Sequence, residues 1–265
     1  MGIDWSKGDY APLARTLEPA SAHVIEVAEP VQGADLLDVA CGSGNSALLA
    51  AERGARVVVT DVEPTMLSAG AARAREAALS VEWMAADAAA LPFEDASFDL
   101  ITSVFGVMFA PEEGVAEMAR LLRPAGRAVI TSWRPAGPIA DAGAKVGRAL
   151  REHRPDAMSP PPPEWGSAEG VVELLGRHGL AAEAEPHELS FSAASVEAWV
   201  EMNERNAAVW VAAQEAIPRE EWAALRREIV SGLEQANEES DAFAVRSPYL
   251  LVEARPQTAA GASWG

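Results

Sequence analysis

Between Asp35 and Asp61 the chain reads as a buried strand, a glycine turn, a short helix and a second buried strand ending in a carboxylate. The residues are Asp35-Leu-Leu-Asp-Val-Ala-Cys-Gly-Ser-Gly-Asn45, a helical run, and Arg56-Val-Val-Val-Thr-Asp61. Gly42 and Gly44 can take positive φ and lack a Cβ, so a ligand can approach the backbone closely there. The helix expected over Asn45–Arg53 aims its free N–H groups at the turn, with Asn45 as its cap. Asp61 stands seventeen positions after Gly44, about where a nucleotide-binding βαβ unit places a ribose-binding acid. These features predict a site for an adenosine-containing molecule.

The same rhythm continues. Gly54 suits the end of the first helix, and Val57–Thr60 is a β-branched run of the kind buried on both faces of a parallel sheet. Pro64 fits the first turn of a helix reaching about Leu79. Further strands are expected at Val81–Ala85, Phe98–Val104 and Arg127–Trp133, with a helix over Glu112–Leu122. Alternating strands and helices imply a mostly parallel sheet with helices on both faces. Before it, a helix over Pro12–Glu29 is expected to be split by Pro19.

Beyond Trp133 the pattern changes. A Gly/Ala-rich helical stretch leads to Ser159-Pro-Pro-Pro-Pro163, a stiff polyproline II connector. Ser167 and Gly179 bracket a helix, followed by a strand over 182–191, two amphipathic helices over 195–237 with tryptophan stripes, and a strand over Phe243–Ala254. The domain reading is residues 1–30 as flap and helix, 31–133 as cofactor-binding core, and 134–254 completing the same domain. Within that last part, 195–240 is a helical insertion serving as lid or homodimer surface, and 255–265 is a flexible tail.

Composition excludes some functions. With 21 basic against 40 acidic residues the net charge is −19, which repels nucleic acid and anionic membrane. A single cysteine, Cys41, allows no internal disulfide, and no signal peptide or membrane-length apolar run is evident. A cytoplasmic location is expected. The four histidines, His23, His153, His178 and His187, lack metal-ligand spacing, so no metal is expected. Any one of them could act as a general base, but each reads first as a surface or structural residue. Cys41 reads as an inert small residue.

Four segments together resemble the class I S-adenosylmethionine-dependent methyltransferases, nearest the ubiquinone/menaquinone-type small-molecule group. They are Leu37–Gly44, Val59–Leu67, Ala86–Asp99 and Leu121–Gly126. The resemblance implies a Rossmann-like sheet of seven strands, parallel except for the seventh, and S-adenosylmethionine as cofactor. It places Asp38 at the cofactor's amino-acid end, Ala40, Gly42 and Gly44 in the turn beneath it, and Asp61 on both ribose hydroxyls. Val62 is a further cofactor contact, Met66 packs on the adenine, Asp87 bonds its amine, Ala88 supplies a backbone contact, and Ser103 lies beside the methionine portion. Ala40 replaces the family's first motif glycine, and Pro124-Ala-Gly126 departs from its usual Pro-Gly-Gly. Phe105, Met108, Phe109 and Trp133, with Trp5 and Tyr10, are the candidate apolar wall for a small-molecule acceptor.

A dinucleotide site is the main rival, because Gly42-Ser-Gly-Asn-Ser-Ala47 fits G-x-G-x-x-G/A. Asp38 has no use beside a pyrophosphate, Asp87 repeats the acid-at-strand-end pattern, and no hydride-transfer machinery is evident. The expected reaction is in-line methyl transfer to oxygen, nitrogen or carbon, with S-adenosylhomocysteine as product. Alignment of the reactants and exclusion of water do most of the catalytic work. The alternatives are a non-methylating S-adenosylmethionine-binding protein and, further off, an NAD-dependent oxidoreductase.

Overall fold

The elements follow the expected alternation. The computed structural model describes residues 3–110, 112–157 and 160–257. In chain order they are α1 (Ala11–Val27), β1 (Asp35–Val39), α2 (Asn45–Glu52), β2 (Arg56–Asp61), α3 (Pro64–Glu76), β3 (Val81–Ala85) and β4 (Phe98–Val104). Next come α4 (Glu113–Leu121), β5 (Leu122–Trp133), α5 (Pro138–His153), α6 (Ala168–Arg177), β6 (Leu180–Ala193), α7 (Val196–Asn206), α8 (Ala208–Ala216), α9 (Arg219–Ala236) and β7 (Phe243–Pro256). Single 3₁₀ turns occupy Val107–Phe109 and Pro163–Gly166. Most of the final tail lies outside the described residues.

The strands form one seven-stranded sheet in the order β3-β2-β1-β4-β5-β7-β6. β1 pairs in parallel with β2 and β4, β2 with β3, and β4 with β5, whereas β7 runs antiparallel to β5. β1 is central, and Leu36, Leu37, Asp38 and Val39 are all fully buried. Each such aliphatic side chain contributes about 1.5–3 kcal/mol through removal from water. One apolar layer gathers Leu37 and Val39 with Met118 and Leu121 of α4, Leu174 and Leu175 of α6, and Leu250 and Val252 of β7. The strand order reverses between β1 and β4, so a crevice is expected at the carboxyl ends of these strands.

The chain divides into two compact units. The sheet unit holds Leu17–Trp133, Pro161–His187 and Tyr249–Gly265; the helical unit holds Met1–Thr16, Arg134–Pro160 and Glu188–Pro248. In the helical unit Trp199 meets Trp210 edge-on at 5.9 Å, Trp210 meets Trp222 at 6.1 Å, and Phe243 packs on Trp199 at 5.7 Å. The tryptophan stripes are therefore this unit's own core. The N-terminal segment is seated in the same unit. A Cβ on Gly8 would lie 2.6 Å from the Asn206 carbonyl oxygen, and Lys7 pairs with Glu215.

Several local expectations are corrected. Pro19 lies inside a continuous α1, whose buried Ala20, Ser21, Val24 and Ile25 hold the helix together despite one missing N–H. Three helices replace the expected two over 195–237, because Ala207 leaves helical geometry (φ −88°, ψ 116°) between α7 and α8. β5 starts at Leu122 rather than Arg127 and follows α4 directly. Ser167 caps α6 by accepting from the Gly170 N–H at 3.1 Å, as expected.

Candidate functional site

The glycine turn after β1 is built from left-handed backbone. Ala40, Gly42 and Gly44 have φ of 52°, 57° and 76°. Alanine tolerates this at a cost of about 1–2 kcal/mol. Gly44, not Asn45, caps α2. The Asn45 side chain instead accepts from Arg73 at 2.7 Å, and the same guanidinium reaches the Ser43 carbonyl at 3.0 Å. Arg73 thus ties α3 to the turn. A Cβ on Gly44 would lie 2.6 Å from the Trp83 ring, so close packing also demands glycine here.

Asp38 faces inward. It is fully buried, and its two oxygens accept from Ser46 Oγ at 2.7 Å and Thr102 Oγ1 at 2.9 Å. The Ala47 backbone N–H also points to it. Burial pushes its pKa up to about 6, against the opposing pull of these hydrogen bonds. The carboxyl therefore joins β1, β4 and the first turn of α2, taking up helix N–H capacity that a phosphate would otherwise use. Ser103, likewise fully buried, donates to the Val39 carbonyl at 2.7 Å and accepts from the Val107 N–H at 2.9 Å. Both side chains are engaged within the protein, whereas the resemblance placed them beside the cofactor.

The acids at the next two strand ends are more open. Asp61 accepts from the Gly42 N–H at 2.8 Å and the Glu63 N–H at 2.9 Å, and its pKa is raised, chiefly by burial. Each carboxylate oxygen retains lone-pair capacity for another donor. Val62 beside it is 57% exposed, unusual for a valine at a strand end, and Met66 is half-buried. Asp61 pairs in register with Ala85, and Asp87 lies two residues further on. Asp87 is exposed and accepts from the Ala89 N–H at 2.9 Å, while Ala88 is buried. A carboxylate able to accept from a diol, an exposed apolar surface and a second carboxylate thus lie along adjacent strand ends, a set that suits adenosine.

On the other side of β1 the chain turns sharply after β4. Phe105 has φ 57°, and a Cβ on Gly106 would lie 2.4 Å from the Ala40 carbonyl oxygen. The two strained turns therefore abut, a kind of strain that clusters at ligand sites. Phe105 stacks on Trp133 at 3.7 Å and 5°, and Tyr249 meets both rings edge-on. The Trp133 backbone N–H points to Met108 Sδ at 3.4 Å; Met108 is buried and Phe109 is 39% exposed. Sequence reasoning missed Tyr249, which β5–β7 pairing places opposite Trp133. Trp5 and Tyr10 belong to the helical unit. Burial raises the Cys41 thiol pKa well above its ordinary value, with Asp38 and Asp61 adding to the effect, consistent with an inert role.

This order of strands agrees with the comparisons. The Methyltransferase domain family matches residues 36–126. Residues 36–126 thus carry a class I S-adenosylmethionine-dependent methyltransferase domain. An uncharacterized protein of Mycobacterium bovis is 38% identical over 177 residues, 65% of this chain and 63% of that relative. The chain thus spans under two thirds of the curated relatives it first matches. Demethylmenaquinone methyltransferase of Clavibacter sepedonicus is 43% identical over 107 residues, 39% of this chain and 43% of that protein. The crystal structure of the YcgJ protein of Bacillus subtilis shares the fold, with TM-score 0.65 and 19% identity over 91% of this chain and 99% of that one. Among the described residues, no cluster of three His, Cys, Asp or Glu side chains could hold a metal ion, and no helix is long and apolar enough to cross a membrane.

Proposed function

We propose that this chain binds S-adenosylmethionine and moves its methyl group to an oxygen, nitrogen or carbon atom of a small, partly apolar acceptor. The observation that carries this reading is Asp61, anchored to the glycine turn through Gly42 N–H and set between exposed Val62 and the next strand's Asp87. In this reading Asp61 holds the ribose hydroxyls, Asp87 bonds the adenine amine, and Ala88 supplies a backbone contact. Val62 and Met66 cover the adenine, and Gly42 and Gly44 floor the site. Asp38 and Ser103 keep the turns in place rather than touching the ligand. Engagement of the α2 N-terminus by Asp38 disfavours a pyrophosphate there, and with it an NAD-dependent oxidoreductase.

When bound, S-adenosylmethionine supplies a methyl group activated by its sulfonium. The protein's part is to align the acceptor and keep water out, for which the aromatic wall at Phe105 and Trp133 is suited. Turnover of labelled S-adenosylmethionine with a panel of phenols, amines and quinone precursors tests the reading. Label transfer to at least one class is expected. Binding without transfer to any of them contradicts it and favours a non-methylating binding protein.

A further inference from the structure

The aromatic wall ends in a polar pair that the sequence did not reveal. Tyr249 Oη lies 3.0 Å from His23 Nδ1, joining the β7 position paired with Trp133 to α1. His187 of β6 meets the His23 ring edge-on at 4.4 Å and the Tyr249 ring at 5.6 Å. Glu185 lies 3.8 Å from His187. Three hydrogen-bonding rings from three elements thus converge next to the Phe105–Trp133 stack, which itself abuts the glycine turn through Gly106 and Ala40. Tyr249 is only 3% exposed, so water is largely kept from its hydroxyl.

We propose that the methyl acceptor is a hydroxylated aromatic ring and that the Tyr249–His23 pair takes its hydroxyl proton. This rests on the methyltransferase reading above. The stacked and edge-on rings of Phe105, Trp133 and Tyr249 suit a flat apolar ring, and none of the three carries a charge. Burial raises the Tyr249 pKa, so the resting residue is a phenol, with its hydroxyl within hydrogen-bond distance of His23 Nδ1. In the reaction the acceptor's O–H bond breaks and its proton goes to Tyr249 Oη, while the Tyr249 proton moves to His23 Nδ1. The acceptor oxygen gains the methyl group, the sulfur keeps the electron pair of the bond it loses, and the positive charge ends on the imidazolium. The lowered pKa of His187, caused by burial and then by His23, keeps that ring neutral beside the pair.

The test uses the whole chain loaded with S-adenosylhomocysteine and 4-nitrophenol as probe, its phenolate read by absorbance. Bound probe should ionise at lower pH than free probe, and Tyr249→Phe and His23→Gln should each abolish that shift. His23→Gln keeps a hydrogen-bond acceptor for Tyr249, so a purely structural link would survive it. Calorimetric affinity for S-adenosylhomocysteine should change less than about twofold in both variants. With S-adenosylmethionine and a panel of phenols, kcat should fall about 100-fold, the low end for loss of general-base help, and His23→Gln should lose the acid limb of the pH profile. The proposal is overturned if the protein binds S-adenosylhomocysteine yet neither ionises nor methylates any phenol, or if the variants keep the wild-type profile. If wild type does not bind S-adenosylhomocysteine, the cofactor reading fails first and this proposal with it.

Discussion

Asp38 makes stability depend on pH in a direction opposite to that of an ordinary paired carboxylate. Its folded pKa is about 6, against an ordinary value of 3.8. Because the folded value is the higher one, the unfolded chain releases this proton more readily. The stabilising contribution is complete below pH 3.8, declines as pH rises through about 6, and is level above that. A gap of about 2.2 units at about 1.36 kcal/mol per unit amounts to roughly 3 kcal/mol, of which about 2 kcal/mol falls between pH 4.5 and 7. Asp38→Asn keeps the shape and can still bond Ser46 and Thr102, but it does not titrate. Urea unfolding of both proteins across that interval should show Asp38→Asn gaining about 2 kcal/mol relative to wild type as pH rises, whatever the offset between them. A difference that is flat with pH, or that moves the other way, refutes a buried carboxyl whose desolvation outweighs its hydrogen bonds.

Two further substitutions probe the frame of the site. Thr102→Val removes one donor to Asp38 while preserving shape, so it should cost roughly 1–3 kcal/mol in urea unfolding at neutral pH and shift the Asp38 transition upward. Gly44→Ala places a Cβ against Trp83 and forces alanine to φ 76°. It should lower stability by roughly 2–4 kcal/mol and weaken S-adenosylhomocysteine binding by disturbing the turn, both measurable on the same sample.

The sheet was legible because its signals are local. Val57-Val-Val-Thr60 and Phe98–Val104 carry strand character in their own side chains, and Gly54 and Gly179 end helices by αL geometry wherever they stand. Asp61 and Asp87 were likewise visible as acids at strand ends. The destination of a side chain was less legible. Asp38 looks the same in sequence whether it faces a ligand or the Ser46 and Thr102 hydroxyls, and Thr102 is 64 residues away. His23 and Tyr249 are separated by 226 positions, and only β5–β7 pairing brings the tyrosine to Trp133. Pro19 misled because tertiary burial of α1 outweighs one lost hydrogen bond.

Calorimetric titration of S-adenosylhomocysteine into wild type, Asp61→Asn and Asp61→Ala tests the cofactor site most directly. If Asp61 accepts both ribose hydroxyls, wild type binds, and Asp61→Ala loses about 3 kcal/mol, an affinity drop of roughly 100-fold. Asp61→Asn, which keeps an acceptor for Gly42 N–H, falls between them. Equal binding by wild type and Asp61→Ala, or no binding by wild type, contradicts the account.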